Sequence, residues 1–446
     1  MKTLFEEVRT EQNVFTAWRH VKRSALNSGS PTIRGQAAEF ESAHQRHLKR
    51  IITQLREGKF AFDPVEGVLK DKQKRIAKNK DPRPIAIATL TSRVVQRAIL
   101  QVLQPRILRD VRDIDSRAEA IYDSRLGRIN EVNRSKYGVG GLMRPYGGVR
   151  PAIESITTAI DAGAKYFYQS DIKSFFTRIP TARVVEFVQK ETQDEALVDL
   201  FSQAMEVRLK NPDELKGYTH LFPSNGIGVA QGASLSAFAG NVLLYDLDHK
   251  LNCDGVTSIR YIDDILMVGQ SDAALDRAVS LASQTLTDFG FGLYTPADGP
   301  EKAARGECAN SIRFLGCTIQ PKRCAPSAQS IKDMRDSVTT ALSESKCAIK
   351  EAVNKGGGLH PKLSQSGTLD QIGKRIYGWQ KAFAFCNQPQ PFSQLDEFVA
   401  ERVNDYQEFV WRTLRNKTPA TRMMVLGIPS ARRMFDEASM RVQPRR

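Results

Sequence analysis

Apolar positions along this chain switch between a helical and a strand period, and the switches divide it. Residues 4–26 read as a helix with Phe15, Trp18 and Val21 on one face. Asn27-Ser28-Gly29-Ser30-Pro31 breaks that pattern, and a second amphipathic helix runs through Phe40, Leu48, Ile51, Ile52 and Leu55 before Gly58. Residues 84–88 form a short apolar strand and 93–100 a helix. Residues 166–172 read as a strand with an acid at its end, followed by a helix near 184–188. A Gly-rich turn at 226–236 opens an apolar helix through Phe238, Val242, Leu244 and Leu247. Further on, 273–289 predicts a helix and 312–319 a single strand. From Ser330 the pattern is helical, interrupted by a loop at 355–361 and by Gln388-Pro389-Gln390-Pro391. Tyr377, Trp379 and Phe383 share one of these helices and read as core. Residues 123–150, rich in Gly, Arg, Asn and Tyr, read as a long loop that either contacts nucleic acid or merely connects.

The stretch that changes the picture is 256–268. Two β-branched, apolar runs flank Asp263 and Asp264, which predicts a hairpin with both acids at or near its turn. Adjacent carboxylates repel and are costly to desolvate. A divalent cation relieves that cost, and Mg²⁺ is typically held by one or two carboxylates, water and substrate phosphates. The alternative is an acidic surface turn, since Tyr-x-Asp-Asp arises by chance in roughly a few per cent of chains this long. Asp171, at its strand end ahead of Phe175-Phe176, supplies a third acid.

Charge narrows the partners. The 446 residues carry a formal net charge of +15, with a pI near 9.5, so a polyanion is expected, either nucleic acid or an anionic membrane surface. No apolar run approaches the roughly 18 residues of a spanning helix. Glu6, Glu7 and Arg9 leave no apolar signal core, and a cytoplasmic protein is expected. The six cysteines show no Cys-x-x-Cys spacing and read as reduced thiols rather than disulfides or zinc ligands. A basic run at 70–83 leads into the 84–88 strand and suits a phosphate clamp, or else a solvated face.

In order along the chain, Asp171, Gln231-Gly232, Tyr261-Ile262-Asp263-Asp264 and Phe314-Leu315-Gly316 resemble the motif set of reverse transcriptases. Gly58-Lys59-Phe60, Arg83-Pro84-Ile85-Ala86-Ile87 and Arg93-Val94-Val95-Gln96 are similar to the fingers motifs of the bacterial branch. The resemblance covers roughly residues 45–320. Family members usually carry proline where this chain has Ala230 and Ala237. The Asn-Ala-x-x-His and Val-Thr-Gly elements of retrons are not seen, nor is a clear group II intron maturase pattern or an endonuclease or zinc-binding tail. Among bacterial enzymes the chain looks most similar to the defence-associated, abortive-infection-like, non-retron group.

The resemblance implies an α+β, right-hand polymerase fold. Fingers with N-terminal helices would occupy residues 1–110. A palm with an antiparallel sheet would span 111–325, with a Gly/Arg-rich insertion near 123–160, and a helical thumb 326–446. It implies an RNA-directed DNA polymerase, copying a non-coding RNA in anti-phage defence by two-metal phosphoryl transfer. Asp171, Asp263 and Asp264 would be the catalytic acids. Asp171, Asp263 and the Ile172 carbonyl would bind two Mg²⁺ ions (Mn²⁺ as the alternative), with Asp264 beside them. Arg83 would clamp the triphosphate, Phe176 would exclude a sugar 2′-hydroxyl, Gln231 would line the nucleotide pocket and Lys302 would protonate pyrophosphate. Partners would be RNA template, dNTPs and nascent DNA, without a membrane; a homo-oligomer or partner protein stays open. Two other readings remain: a template-independent or protein-primed nucleotidyl transferase, and an RNA-binding scaffold without catalysis.

Overall fold

Side-chain caps cut the N-terminal helical stretch in two. Thr3 and Glu6 form a capping box that starts the helix Leu4–Val8, and Thr10 accepts the Asn13 amide to start Glu11–Leu26. The next expected helix is also two, Pro31–Ser42 and His44–Arg56, separated at Ala43, whose φ of −129° is not helical. Periodicity alone misses such breaks because the apolar stripe continues across them. These helices pack with Leu90–Leu103, and Trp18, Leu48, Ile51, Val95 and Ile99 share one core.

The computed structural model describes residues 2–77, 79–106, 120–356, 358–432 and 434–435. Lys78 of the basic run, Gly357 of the glycine loop and the expected fingers–palm boundary at 110–111 lie outside them. Two units are distinguished, Met1–Cys308 and Ala309–Arg446.

In the first unit β1 (Glu66–Lys70) pairs antiparallel with β2 (Arg83–Ile87), Lys70 opposite Arg83. The basic run is therefore the end of a hairpin, carrying a short helix, Lys72–Ile76. A four-stranded sheet is built from β3 (Tyr166–Asp171), β4 (Val256–Tyr261), β5 (Asp264–Gly269) and β6 (Ala303–Glu307). Its order is β4-β5-β3-β6, and all neighbours are antiparallel. Ile265, Leu266, Met267 and Val268 of β5 are at most 1% exposed, so both faces of the central strand are covered. The helices Val149–Asp161 and Asp272–Asp288 pack on the sheet. The 123–150 stretch, expected to be a loop, is not one throughout. It contains a 3₁₀ turn, Ser124–Leu126, the helix Ile129–Asn133, and a parallel bridge from Gly138 to Arg260 of β4.

In the second unit β7 (Ile312–Phe314), β8 (Cys317–Gln320) and β9 (Arg323–Pro326) form an antiparallel meander. The single strand expected over 312–319 is a hairpin. Leu315 and Gly316 both take positive φ, 47° and 78°, as a tight two-residue hairpin turn requires. Four helices follow: Ala328–Lys355, Gln365–Ala382, Gln390–Leu414 and Pro419–Leu426. Val338, Leu342, Ile349, Ile372, Leu395 and Val410 form their core, together with Tyr406, whose hydroxyl meets Ser345 Oγ at 2.7 Å. Phe383 is buried and Trp379 packs against this core. Tyr377 is 67% exposed, which corrects its reading as a core residue. The expected α+β architecture is what forms. Among the described residues no helix is long and apolar enough to cross a membrane.

Candidate active site

Strand register brings the three acids to one place. Asp171 ends β3 and stands opposite Asp264, the first residue of β5, while Tyr261 of β4 stands opposite Asp264 on its other side. Ile262 and Asp263 form the two-residue turn between β4 and β5. Ile262 has φ of 63°, a conformation a β-branched residue rarely adopts and one that costs on the order of 1–3 kcal/mol. The Ile172 amide donates to the Asp263 carbonyl (2.8 Å), fixing the turn against the end of β3. Among the described residues no hydrogen bond reaches the Ile172 carbonyl.

A buried network holds the strained turn from beneath. Arg260, 1% exposed, makes a bidentate pair with Asp248, Nε to Oδ1 at 2.8 Å and Nη2 to Oδ2 at 2.6 Å. Its Nη1 donates to the Ile262 carbonyl (2.9 Å), and Nη2 also reaches Asn241 Oδ1 (3.2 Å). Asn241 Nδ2 in turn donates to the Gly140 carbonyl (2.8 Å). Val139 and Arg260 exchange backbone contacts with the same edge, Val139 N to Arg260 O at 2.9 Å and Arg260 N to Tyr137 O at 2.8 Å. A Cβ on Gly140 would lie 2.9 Å from the Tyr261 carbonyl carbon, and one on Gly138 2.6 Å from Arg260 Nη2. Only glycine permits so close an approach.

The other expected residues divide into two groups. Lys302, just before β6, places its ammonium against Asp171 Oδ2, and its carbonyl accepts the Asp171 amide (3.1 Å). Arg83 is exposed at the return of the β1–β2 hairpin, close enough for its charge to act on Asp263. Lys80, on the same hairpin, pairs with Glu301 next to Lys302. Phe176 and Gln231 form a second group. Val229 N donates to Phe176 O and Gly228 N to Ile179 O, both at 2.7 Å, so the segment before Gln231 lies along the Phe176 turn. Phe175 is buried and packs tilted against Phe291, with ring centres 5.5 Å apart, whereas Phe176 is half-buried.

The electrostatics follow from crowding. Burial, with repulsion from Asp171, pushes Asp263 above the usual carboxylate range, against its backbone hydrogen bond and the charges of Lys302 and Arg83. Asp264 is pushed up to about 8 by burial, by its hydrogen bond with Asp171 and by repulsion from Asp171 and Asp263. For Lys302 burial acts downward but is outweighed by Asp171, Asp264 and Asp263, so its pKa is raised.

A family model described as reverse transcriptase (RNA-dependent DNA polymerase) matches residues 69–319, more than half of the chain. The chain belongs to the reverse transcriptase family. The matched span includes every residue of the cluster above. A relative by sequence, from Schizosaccharomyces pombe, is the uncharacterized 91 kDa protein in cob intron, 23% identical over 201 residues, 45% of this chain and 20% of that one. Among solved structures, a chain of the Cas6-RT-Cas1–Cas2 complex is 14% identical with a TM-score of 0.35, covering 91% of this chain and 50% of that one. Apo telomerase from Candida tropicalis is 12% identical with a TM-score of 0.41, covering 86% of this chain and 74% of that one. The chain thus spans a fifth of the intron protein and half of the Cas-associated chain.

The sequence reading names the acids, Arg83 and Lys302, which the structure brings together, but not Arg260, Asp248, Asn241 or Gly138 to Gly141.

Two outcomes are expected. Arg260→Met strands a buried carboxylate and lowers stability by about 3–5 kcal/mol, while adding Asp248→Leu restores most of it, as thermal melts of the three proteins will measure. In metal-free buffer, Asp264 holds a proton in the folded state that the unfolded chain releases above about pH 4. Stability therefore falls as pH rises toward about 8, and Asp264→Asn escapes that loss. The variant's advantage in melts should widen between about pH 5 and pH 8, by about 3–4 kcal/mol; a constant difference would mean that Asp264 is not crowded.

Proposed function

We propose that this chain is an RNA-directed DNA polymerase whose reaction centre is the cluster of Asp171, Asp263 and Asp264. The observation that carries the reading is the convergence of these carboxylates at one end of the central strands β3 and β5, with the Lys302 ammonium seated on Asp171 as a stand-in cation. The donor set fits hard divalent ions: carboxylate oxygens raised by burial and mutual repulsion, beside a free carbonyl. Asp171, Asp263 and the Ile172 carbonyl would hold two Mg²⁺ ions (or Mn²⁺), with Asp264 shaping the field. When bound, such ions neutralise triphosphate charge and make a primer 3′-hydroxyl more acidic.

The chain's own groups do the rest. Arg83 offers a planar fork for triphosphate oxygens. Phe176, half-buried, presents a ring that excludes a sugar 2′-hydroxyl, and Gln231 lines the same pocket. Lys302 stays protonated at neutral pH, beside the point where pyrophosphate departs, and serves as its proton donor. Residues 1–110, 111–325 and 326–446 would act as fingers, palm and thumb. A non-coding RNA template and a bacterial defence role follow from motif likeness to the abortive-infection-like group. The alternative setting is the intron context of the fungal relative. Sequencing the nucleic acid that copurifies, and the DNA made from it, separates these two. Ala230 and Ala237, where relatives carry proline, favour one second reading, template-independent or protein-primed extension.

The test is dNTP incorporation on a primed RNA with Mg²⁺. Asp263→Asn combined with Asp264→Asn should lose activity by at least about a hundredfold. Undiminished synthesis would remove the cluster as the reaction centre, and products independent of template sequence would favour the second reading. Phe176→Ala should raise the efficiency ratio of rNTP to dNTP by about tenfold or more. A flat ratio in a folded, active variant makes Phe176 a packing residue.

A further inference from the structure

Cysteines distant in sequence meet in the second unit. Cys317 on β8 and Cys324 on β9 lie on the same face of their hairpin. Ile319 stands opposite Cys324, and Cys317 is two residues from Ile319, so the two thiols are diagonal neighbours. Cys386 arrives from the turn after the helix Gln365–Ala382. Asn387 fixes that turn to β9: Cys324 N donates to Asn387 Oδ1 (2.9 Å), Asn387 N to Cys324 O (3.0 Å) and Asn387 Nδ2 to Lys322 O (3.0 Å). The three sulfurs lie within 4.8 Å of one another, and Cys324 Sγ is 3.7 Å from Cys386 Sγ. Cys317 and Cys324 are buried and Cys386 is half-buried.

Two chemistries could account for such a cluster, and the spacing separates them. A disulfide needs sulfurs about 2.05 Å apart. A tetrahedral zinc ion with Zn–S bonds of about 2.3 Å holds its sulfurs about 3.8 Å apart. The Cys324–Cys386 separation of 3.7 Å matches the second. We propose that Cys317, Cys324 and Cys386 bind one Zn²⁺ ion, which ties the β8–β9 hairpin to the turn between the helices Gln365–Ala382 and Gln390–Leu414. Binding displaces the thiol protons to solvent, and the fourth position opens on the half-exposed Cys386 side, where water completes the shell. A buried thiolate without a countercharge is costly, and a soft divalent cation supplies one. Cysteine spacing hides this site, because its ligands are contributed by a hairpin and a remote interhelical turn.

The test uses the full chain, purified with reductant and without chelator. Metal analysis should find about one zinc per chain. Cys324→Ser with Cys386→Ser should reduce it to background, and Cys253→Ser with Cys347→Ser should leave it unchanged. Should the cluster variant fail to fold, the wild-type chain still decides. Zinc should protect Cys317, Cys324 and Cys386, but not Cys253 and Cys347, from alkylation read by mass spectrometry. Co²⁺ should add sulfur-to-metal charge-transfer absorption. A reduced, folded chain with neither zinc nor cobalt absorption would overturn the proposal. So would zinc retained by the folded cluster variant, or a Cys324–Cys386 disulfide in metal-free protein.

Discussion

Three carboxylates that repel one another must be kept together, and much of the first unit serves that requirement. Like charges about 4 Å apart repel by roughly 4 kcal/mol at an effective dielectric of about 20, before desolvation is added. Protonation of Asp264 and the ammonium of Lys302 oppose that repulsion, helped by the charge of Arg83, but they do not fix positions. The restraint has to come from the frame. Asp171 and Asp264 are locked opposite each other by the β3–β5 ladder, and neither can retreat without breaking register in a strand buried on both faces. Asp263 sits in a turn whose preceding residue is strained, and a turn of that kind persists only when its surroundings over-determine it.

Arg260 is that surrounding. A fully buried guanidinium is an expensive device, and a hydrophobic substitute for the Arg260–Asp248 pair would be at least as stable. What an apolar pair cannot do is donate a hydrogen bond to the Ile262 carbonyl at 2.9 Å while Asp248 fixes the direction of the fork. The pair therefore reads as a positioning element. The glycines at 138 and 140 belong to the same construction, because they let a backbone segment lie against the turn where any side chain would intrude.

These relations explain what could be read from the chain and what could not. The acids were legible because local patterning alone places them: an apolar strand ending in Asp171, and a hairpin whose turn falls at Asp263. Arg83 was named through the family resemblance, while the pattern showed only a basic run abutting an apolar strand. Arg260 was not, since an arginine in the alternation of a strand normally marks its solvent face, and its partner Asp248 lies on a helix. Gly138 to Gly141 looked like loop composition because glycine required for close approach and glycine tolerated in a connector look the same in sequence. The Leu315-Gly316 turn was hidden by flanking apolar residues that fit one strand as well as two. Tyr377 shares a helix with buried neighbours but points away from the core, an orientation that a short aromatic cluster does not specify.

Charge on this chain acts at two ranges with opposite signs. A net charge of +15 favours approach by polyanions, although screening confines its reach to about a Debye length, roughly 8 Å at physiological salt. At the end of that path the local field reverses, because Asp171, Asp263 and Asp264 would repel the phosphates that the surface attracts. Arg83, Lys80 and Lys302 stand at the transition, with Lys80 and Lys302 tied to Glu301 and Asp171. A single arginine at the hairpin return would not by itself offset three half-buried carboxylates. A site arranged this way admits an anionic substrate only when cations arrive with it, so substrate and metal are expected to enter as one neutralised unit.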